Sequence, residues 1–215
     1  DMTCGTPWKL ILMFAVPLIF GNIFQELYTI VDTMVVGKKL GVNALAAVGA
    51  TGWVFMFNSM LIQGFTQGFG IQIAKMVGEN DTVKLKRAIS NSIILSALLS
   101  IVLLLGMQLI INPAMHILRI PLNIRDISVT YLRVIFVGIP FSVAYNIFAV
   151  ILRSLGNSKT PLNAMVISTS SNIVLDILFV VGFQWGVIGA AVATIISQLL
   201  SAVYCFVILN KCDIF

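Results

Sequence analysis

One polar stripe on an otherwise apolar segment carries the residues best suited to chemistry. The segment runs from Pro17 to Gly37 and reads PLIFGNIFQELYTIVDTMVVG. At about 100° per residue in a helix, its polar side chains fall within roughly one third of the circumference. These side chains belong to Asn22, Gln25, Glu26, Thr29, Asp32 and Thr33. An acidic side chain at membrane depth costs about 2.5–3.5 kcal/mol on insertion scales, so its default interpretation is functional.

A second acidic residue, Asp176, lies in a later apolar segment with Asn172 one helical turn before it. Asp32 and Asp176 each precede, by five or six residues, a glycine that ends the apolar segment. At 1.5 Å per residue, both carboxylates lie about 7–9 Å below the helix end. Thr194 lies at a similar depth in the last apolar segment. The sequence therefore predicts that Asp32, Asn172, Asp176 and Thr194 converge on one cation-coupling site.

The predicted pair of acids has a specific chemistry. Two carboxylates in a poorly hydrated cavity cannot both remain charged without a cation. The pair binds a proton, or it binds Na⁺ with oxygens of Asn172 and Thr194 completing the shell. Either ion can pass between two water-exposed sides if the helix bundle rocks. The alternative is that Asp32 and Asp176 are buried hydrogen-bond partners between helices, without a role in transport.

Composition places the chain in a membrane. It is 59% hydrophobic and 10% charged, with a mean hydropathy of +1.04, whereas about a quarter of a soluble domain is charged. The long apolar runs favour helices. The net charge of +5 is attributed to membrane topology and not to nucleic acid. The sequence has no phosphate-binding loop, metal cluster or nucleophile triad, so we expect no enzyme and no cofactor.

Six transmembrane helices are predicted, and they form a single lobe spanning residues 1–215. Their approximate bounds are residues 8–36, 44–77, 88–111, 127–152, 162–181 and 187–209. Eight Lys and Arg residues then lie on one side: Lys9, Lys75, Lys84, Lys86, Arg87, Arg153, Lys159 and Lys211. Four lie on the other: Lys38, Lys39, Arg119 and Arg125. This asymmetry predicts that both ends are cytoplasmic.

Proline, glycine and charged residues predict the loops between the helices, one bend and one close helix contact. Pro17 lies inside the first helix and predicts a bend, because proline lacks an amide hydrogen and clashes with the preceding turn. Residues 37–41, 79–87 and 112–126 are predicted loops, the last of which contains His116. Gly64 and Gly68 have the GxxxG spacing that lets two membrane helices approach closely.

Four stretches together resemble the multidrug and toxic compound extrusion (MATE) family of bacterial efflux transporters. They are PLIFGNIFQELYTIVDTMVVGKKLG, ALAAVGATG, ILRSLGNSKTP and SNIVLDILFVVGFQWGVIGAAVATIISQ. The resemblance implies twelve helices in two lobes around a central cavity, of which this chain resembles the N-terminal lobe. The aspartate of the family's first helix falls on Asp32, and its Asn-x-x-x-Asp motif falls on Asn172 and Asp176. The family's threonine falls on Thr194.

The resemblance also implies a function and partners. We expect an antiporter of the bacterial inner membrane that exports cationic or amphipathic organic compounds in exchange for H⁺ or Na⁺. A missing C-terminal lobe, or a second copy of the chain, would complete the cavity within the lipid bilayer. The candidate residues for the substrate cavity are Gln25, Glu26, Tyr28, Tyr131 and Asn146. Glu26 is either a second proton site or a residue that only faces the cavity.

Two other functions remain open at the level of sequence. One is a flippase of lipids or lipid-linked oligosaccharides from the same superfamily, which a strongly cationic cavity would favour. Arg133 is the only candidate for a buried cation that the sequence indicates. The other is a half-protein that does not transport and serves as an assembly partner.

Overall fold

The computed structural model describes residues 6–79 and 81–211, and every regular element in these ranges is a helix. The helices are α1 (Pro7–Leu40), α2 (Val42–Gly78), α3 (Thr82–Ile117), α4 (Leu122–Val137), α5 (Ile139–Ser154), α6 (Lys159–Asp176) and α7 (Gly186–Asn210). A π-helical segment, Ile177–Gly182, continues α6. The backbone of α1 is described throughout, whereas the side chains of many of its residues, Asp32 among them, are not.

Several of these helices are long and apolar enough to cross a membrane. In the described part of the chain, α2, α3, α6 with its π-helical segment, and α7 each meet this condition. The pair α4 and α5, bent by 47° at the break between them, meets the condition when the two helices are taken together, which gives up to five such spans. The sixth predicted span corresponds to α1, a continuous helix of 34 residues. The all-helical membrane fold expected from the sequence is therefore confirmed.

The predicted helix over residues 127–152 is two helices and not one. The break falls at Gly138, where α4 ends, and Pro140 occupies the first turn of α5. Proline is tolerated there because the first helical turn has no use for its missing amide hydrogen. A Cβ atom on Gly138 would lie 2.6 Å from Ile195 Cγ1, so glycine lets α7 pack directly against the bend.

The predicted loops are shorter than the sequence suggests. Helix α1 continues to Leu40 and ends at Gly41, whose φ of 83° lies in the left-handed region that glycine tolerates. Helix α3 begins at Thr82 because Asp81 Oδ1 accepts a hydrogen bond from Lys84 N at 3.0 Å. Its other end includes Pro113 and continues to Ile117, so His116 lies in the last helical turn and not in a loop.

Helix α5 packs against α2, α3 and α7. Glycine makes one of these contacts close: Ser154 Oγ donates to the carbonyl of Gly70 at 3.0 Å, and a Cβ on Gly70 would lie 2.5 Å from Val150 Cγ1. Nothing lies within 4 Å of a Cβ on Gly64 or Gly68. The GxxxG prediction is thus wrong for this chain's own packing, and the close approach occurs at Gly70, two residues beyond Gly68.

Candidate functional site

Three of the predicted cation-coupling residues meet at the interface of α6 and α7. Asn172, Asp176 and Thr194 are all buried, with exposed fractions of 2%, 0% and 5%. The amide orientation that satisfies both of its polar atoms has Asn172 donating to Asp176 Oδ2 at 2.8 Å. The amide oxygen then accepts from the backbone N–H of Thr194 at 3.2 Å. This amide therefore links the carboxylate on one helix to the backbone of the next.

The hydroxyl of Thr194 contributes to the same site. It donates to the carbonyl of Ala190, one turn earlier on α7, at 3.1 Å. It also lies 3.4 Å from the Asn172 amide. A threonine hydroxyl can donate and accept at the same time. The site thus presents carboxylate, amide and hydroxyl oxygens within one small, buried volume.

Small residues explain why α6 and α7 approach closely enough to form the site. A Cβ on Gly189 of α7 would lie 3.1 Å from the backbone carbon of Phe179, so a larger residue would require the two segments to move apart. Toward the other end of the interface, Ser201 Oγ donates to the carbonyl of Ala164 at 3.2 Å. Small side chains and interhelical hydrogen bonds are the usual means by which membrane helices associate.

The backbone changes from α-helix to π-helix immediately after Asp176. The wider turn is visible in the hydrogen bond from the N–H of Phe183 to the carbonyl of Leu178, five residues earlier, at 2.8 Å. Helix segments of this kind are rare and occur frequently at functional sites. The Asp176 carboxylate therefore lies at the transition from α-helix to π-helix.

The fourth predicted residue of the site, Asp32, has a described backbone in α1 and a side chain outside the described residues. Helix α1 packs along α6: a Cβ on Gly21 would lie 2.7 Å from Met165 Sδ. The backbone of α1 therefore runs beside the helix that carries Asn172 and Asp176. That the carboxylates of Asp32 and Asp176 share an ion remains a prediction.

A cavity of about 200 Å³ opens beside these residues between α2, α5, α6 and α7. Its described wall is rich in hydroxyls and amides: Ser59, Gln63, Ser142, Tyr145, Asn146, Ser168, Thr169, Asn172, Thr194, Ser197, Gln198 and Ser201. Phe55, Ile62 and Met165 complete it. Among these described lining residues there is no charged side chain. The cavity is large enough for a small aromatic molecule, since an apolar cavity of about 150 Å³ holds benzene.

The structure places the predicted cavity residues in different surroundings. Asn146 lines the cavity, and its amide donates to the carbonyl of Ser142 at 2.9 Å. Glu26 is exposed on α1. Gln25 and Tyr28 have side chains outside the described residues. The same holds for the side chain of Pro17, through which the backbone of α1 continues as helix.

Tyr131 is buried in the apolar core and does not lie on the described wall of the cavity. Its exposed fraction is 7%, and it belongs to a cluster with Ile62, Met107 and Phe136. The family resemblance predicted Tyr131 at the cavity, and a match in sequence does not specify the direction in which this side chain points. The cavity tyrosine among the described residues is Tyr145, on α5.

Sequence reasoning missed most of the neutral polar wall. Ser197 and Thr169 have no motif of their own, and each becomes notable only because four helices surround one space. The spacing of polar residues in α7 did indicate one polar helix face, because Thr194, Gln198 and Ser201 form a stripe along it. Polar side chains on one helix face also occur where two membrane helices pack without a cavity.

A family model described as MatE matches residues 17–178. The chain is 30% identical over 208 residues to the probable multidrug resistance protein YoeA of Bacillus subtilis, covering 95% of this chain and 45% of that protein. The chain thus spans about half the length of the curated relatives that it matches.

Solved structures agree with the sequence relatives. The fold matches a MOP superfamily transporter from Pyrococcus furiosus with a TM-score of 0.90 and 30% identity, covering 97% of this chain and 46% of that one. It also matches a MATE structure described as being in the bent conformation, with a TM-score of 0.90 and 30% identity, covering 97% and 47%. Each match leaves about half of the other chain without a counterpart.

Proposed function

Because this chain belongs to the MatE family, we propose that it forms one lobe of a transporter that exports organic compounds in exchange for H⁺ or Na⁺. The observation that carries this proposal is the buried contact between Asn172, Asp176 and Thr194 beside a polar cavity. A fully buried carboxylate is costly in a membrane and is retained where it serves a function. The cavity offers a place where an organic molecule would bind within reach of that carboxylate.

Ion binding and substrate binding would be coupled through α1. In the proposal, the carboxylates of Asp32 and Asp176 bind one cation between them. Neutralising the pair changes the hydrogen bonds that hold α1 against α6, and α1 then bends near Pro17. The bend changes the shape of the cavity and releases the substrate. The relative described in a bent conformation supports the idea that this fold changes shape, although that statement applies to the relative.

Both coupling ions are compatible with the donor atoms. A proton needs only the carboxylates, whereas Na⁺ also needs neutral oxygens such as those of Asn172 and Thr194. In the described part of the chain, no group of three or more His, Cys, Asp or Glu side chains lies together. A metal site here would therefore depend on the neutral oxygens and on the side chain of Asp32.

We propose amphipathic organic compounds as the substrates, drugs among them. A wall of hydroxyls and amides with a few apolar side chains can bind many molecules, because no single strong contact selects one of them. YoeA is named as a probable multidrug resistance protein, which agrees with this substrate class. A second lobe, or a second copy of the chain, would supply the other wall, and both ends of this lobe would face the cytoplasm.

The proposal is tested by transport in vesicles that contain the intact protein. Gradients of H⁺ and Na⁺ are imposed separately, and efflux of a fluorescent organic cation is followed. We expect one of the two gradients to drive efflux, and Asp32→Asn to abolish that dependence. Efflux that follows neither gradient, or that survives Asp32→Asn with its ion dependence unchanged, would contradict the proposal.

A further inference from the structure

A small recess adjoins the cavity at the bend between α4 and α5. Its volume is about 10 Å³, and residues of α2, α4, α5 and α7 line it. Ser59, Ser142 and Gln198 line both the recess and the larger cavity, so the two spaces share a polar wall. The recess has no part in the proposed ion exchange.

Asn58 on α2 brings a buried acceptor to this recess. Its exposed fraction is 4%, and its Oδ1 atom has no hydrogen-bond partner among the described residues. Every residue that lines the recess has a described side chain. A buried polar atom without a partner destabilises the folded state, so such atoms are almost always bonded to protein or to ordered water. Asn58 Oδ1 therefore needs a donor that the described wall does not supply.

The backbone at the bend has a similar need. Pro140 has no N–H, so the carbonyl of Phe136 lacks the donor that the fourth following residue supplies in a regular α-helix. The N–H of Gly138 donates to the carbonyl of Ile135 at 3.0 Å, which is the tighter 3₁₀ pattern. Phe136, Gly138 and Ile135 all line the recess. Ordered water can satisfy backbone groups that a break in a membrane helix frees, and water inserted into the helical ladder is a recognised cause of kinks.

We propose that the recess binds a single water molecule, which donates to Asn58 Oδ1 and links α2 to the bend between α4 and α5. A single buried water requires roughly 10–15 Å³ and two to four polar partners. The recess meets both requirements, because Ser59, Ser142 and Gln198 stand beside Asn58 on its wall. The remaining hydrogen and lone pairs of the water serve these side chains and the backbone at the bend.

Water suits this recess better than a metal cation does. The described residues that line it carry no charge, and a cation held by neutral oxygens alone would bring an uncompensated charge into the membrane. Arg133, the sequence candidate for a buried cation, is exposed on α4. The orientation of the Asn58 amide is also immaterial to water, because water donates to the amide oxygen and accepts from the amide N–H.

The bound water extends the polar lining of the cavity to the bend. Gln198 follows Thr194 by one turn of α7, so polar groups continue from the predicted cation-coupling residues along the cavity wall to Asn58. This assignment does not depend on the proposed transport function. It explains how a bent span satisfies its polar groups within the bilayer, and it gives Asn58 a role that ion exchange does not.

The test is radiolytic labelling of the intact protein, held in nanodiscs in H₂¹⁸O. A brief X-ray pulse converts a bound water into a hydroxyl radical, which adds ¹⁸O to the side chains beside it. Ile139 and Ile147 are a matched pair, because both lie on α5 and both have an exposed fraction of 2%. Ile139 lines the recess, whereas Ile147 belongs to an apolar core cluster. We expect mass spectrometry to find more ¹⁸O at Ile139 than at Ile147.

Two variants assign the label to the water at Asn58. Asn58→Leu keeps the branched shape and removes the polar atoms, so the label at Ile139 should fall to the level at Ile147. Asn58→Ser keeps a polar partner in a larger space, so it should retain the label. Ile62 lines the cavity and should stay labelled in both variants, which shows that a loss at Ile139 is local.

Equal labelling of Ile139 and Ile147 in the wild type would overturn the proposal, and this comparison holds even where a variant fails to fold. Labelling of Ile139 that Asn58→Leu leaves unchanged would also overturn it. The measurement uses neither substrate nor an ion gradient, so a failure of the transport proposal remains a separate result.

Discussion

The Asn172 amide lies 2.8 Å from Asp176 Oδ2 on the following turn of α6, and its oxygen accepts from the backbone of α7. One side chain therefore holds the buried carboxylate in a fixed orientation and ties it to the neighbouring helix. A hydrogen bond to a charged acceptor contributes about 1.5–3 kcal/mol. The consequences of removing it differ for the two candidate coupling ions.

Asn172→Ala should distinguish proton from sodium coupling. Loss of the amide N–H destabilises the ionised carboxylate, so proton-driven efflux should reach half of its maximum at a higher pH. Loss of the amide oxygen removes a ligand, so sodium-driven efflux should need about tenfold more Na⁺. The measurement is efflux as a function of each ion, and Ser168→Ala, one turn away on the same cavity wall, is the control. An unchanged response to both ions would show that Asn172 is not part of the coupling site.

Gly70→Ala should destabilise the protein, because the new Cβ would lie 2.5 Å from Val150 Cγ1. Overpacking of this kind costs about 1–3 kcal/mol. Gly64→Ala on the same helix meets nothing within 4 Å and should be neutral or slightly stabilising, since alanine is the better helix former. Thermal unfolding in detergent compares the two variants. A greater loss of thermal stability in Gly64→Ala than in Gly70→Ala would contradict this prediction. If contact with another lobe were the cause, the difference in unfolding temperature between the two variants would shrink in the isolated lobe.

The two tyrosines of α4 and α5 should differ in their effect on transport. Tyr145 lines the cavity, so Tyr145→Phe should change the KM for at least some substrates by removing a donor. Tyr131 lies in the apolar core, so Tyr131→Phe should leave every KM unchanged, whatever it does to stability. A panel of fluorescent substrates measured with both variants checks this. A changed KM for Tyr131→Phe would show that Tyr131 affects substrate binding and contradict its assignment to the apolar core.

The N-cap of α3 should make the start of that helix sensitive to acid. The backbone N–H of Lys84, and then its side chain, lower the pKa of Asp81 from its usual value of 3.8. A carboxyl whose pKa is lowered by folding stabilises the folded state above the unfolded pKa, and this contribution is lost as pH falls through the folded pKa. We therefore expect amide exchange in the first turn of α3, relative to intrinsic rates, to increase below about pH 4.

Asp81→Asn is the control for the cap, because asparagine keeps the hydrogen-bond acceptor and does not titrate. Its protection against exchange should not depend on pH in this range. Equal acid sensitivity of wild type and Asp81→Asn would mean that another group controls the first turn of α3.

Some errors of the sequence interpretation have a common physical origin. Hydropathy and proline content predicted a loop over residues 112–126, yet α3 continues through Pro113, because packing of Ile111 and Met115 in the core supports the helix there. The charged residues 79–87 were expected outside any helix, and a single cap at Asp81 is enough to begin one. Local composition does not contain these tertiary and capping contributions.

The sequence by itself determined that this protein is a helical membrane protein, because apolar length and helical period are local properties. It also predicted that Asn172, Asp176 and Thr194 belong together, since the rise per residue converts spacing into depth. Only the tertiary structure decided which polar faces meet one cavity, and why Tyr131 lies in the core whereas Tyr145 lines the cavity. Those outcomes depend on the rotation of each helix about its axis, which close packing at residues such as Gly70, Gly138 and Gly189 sets.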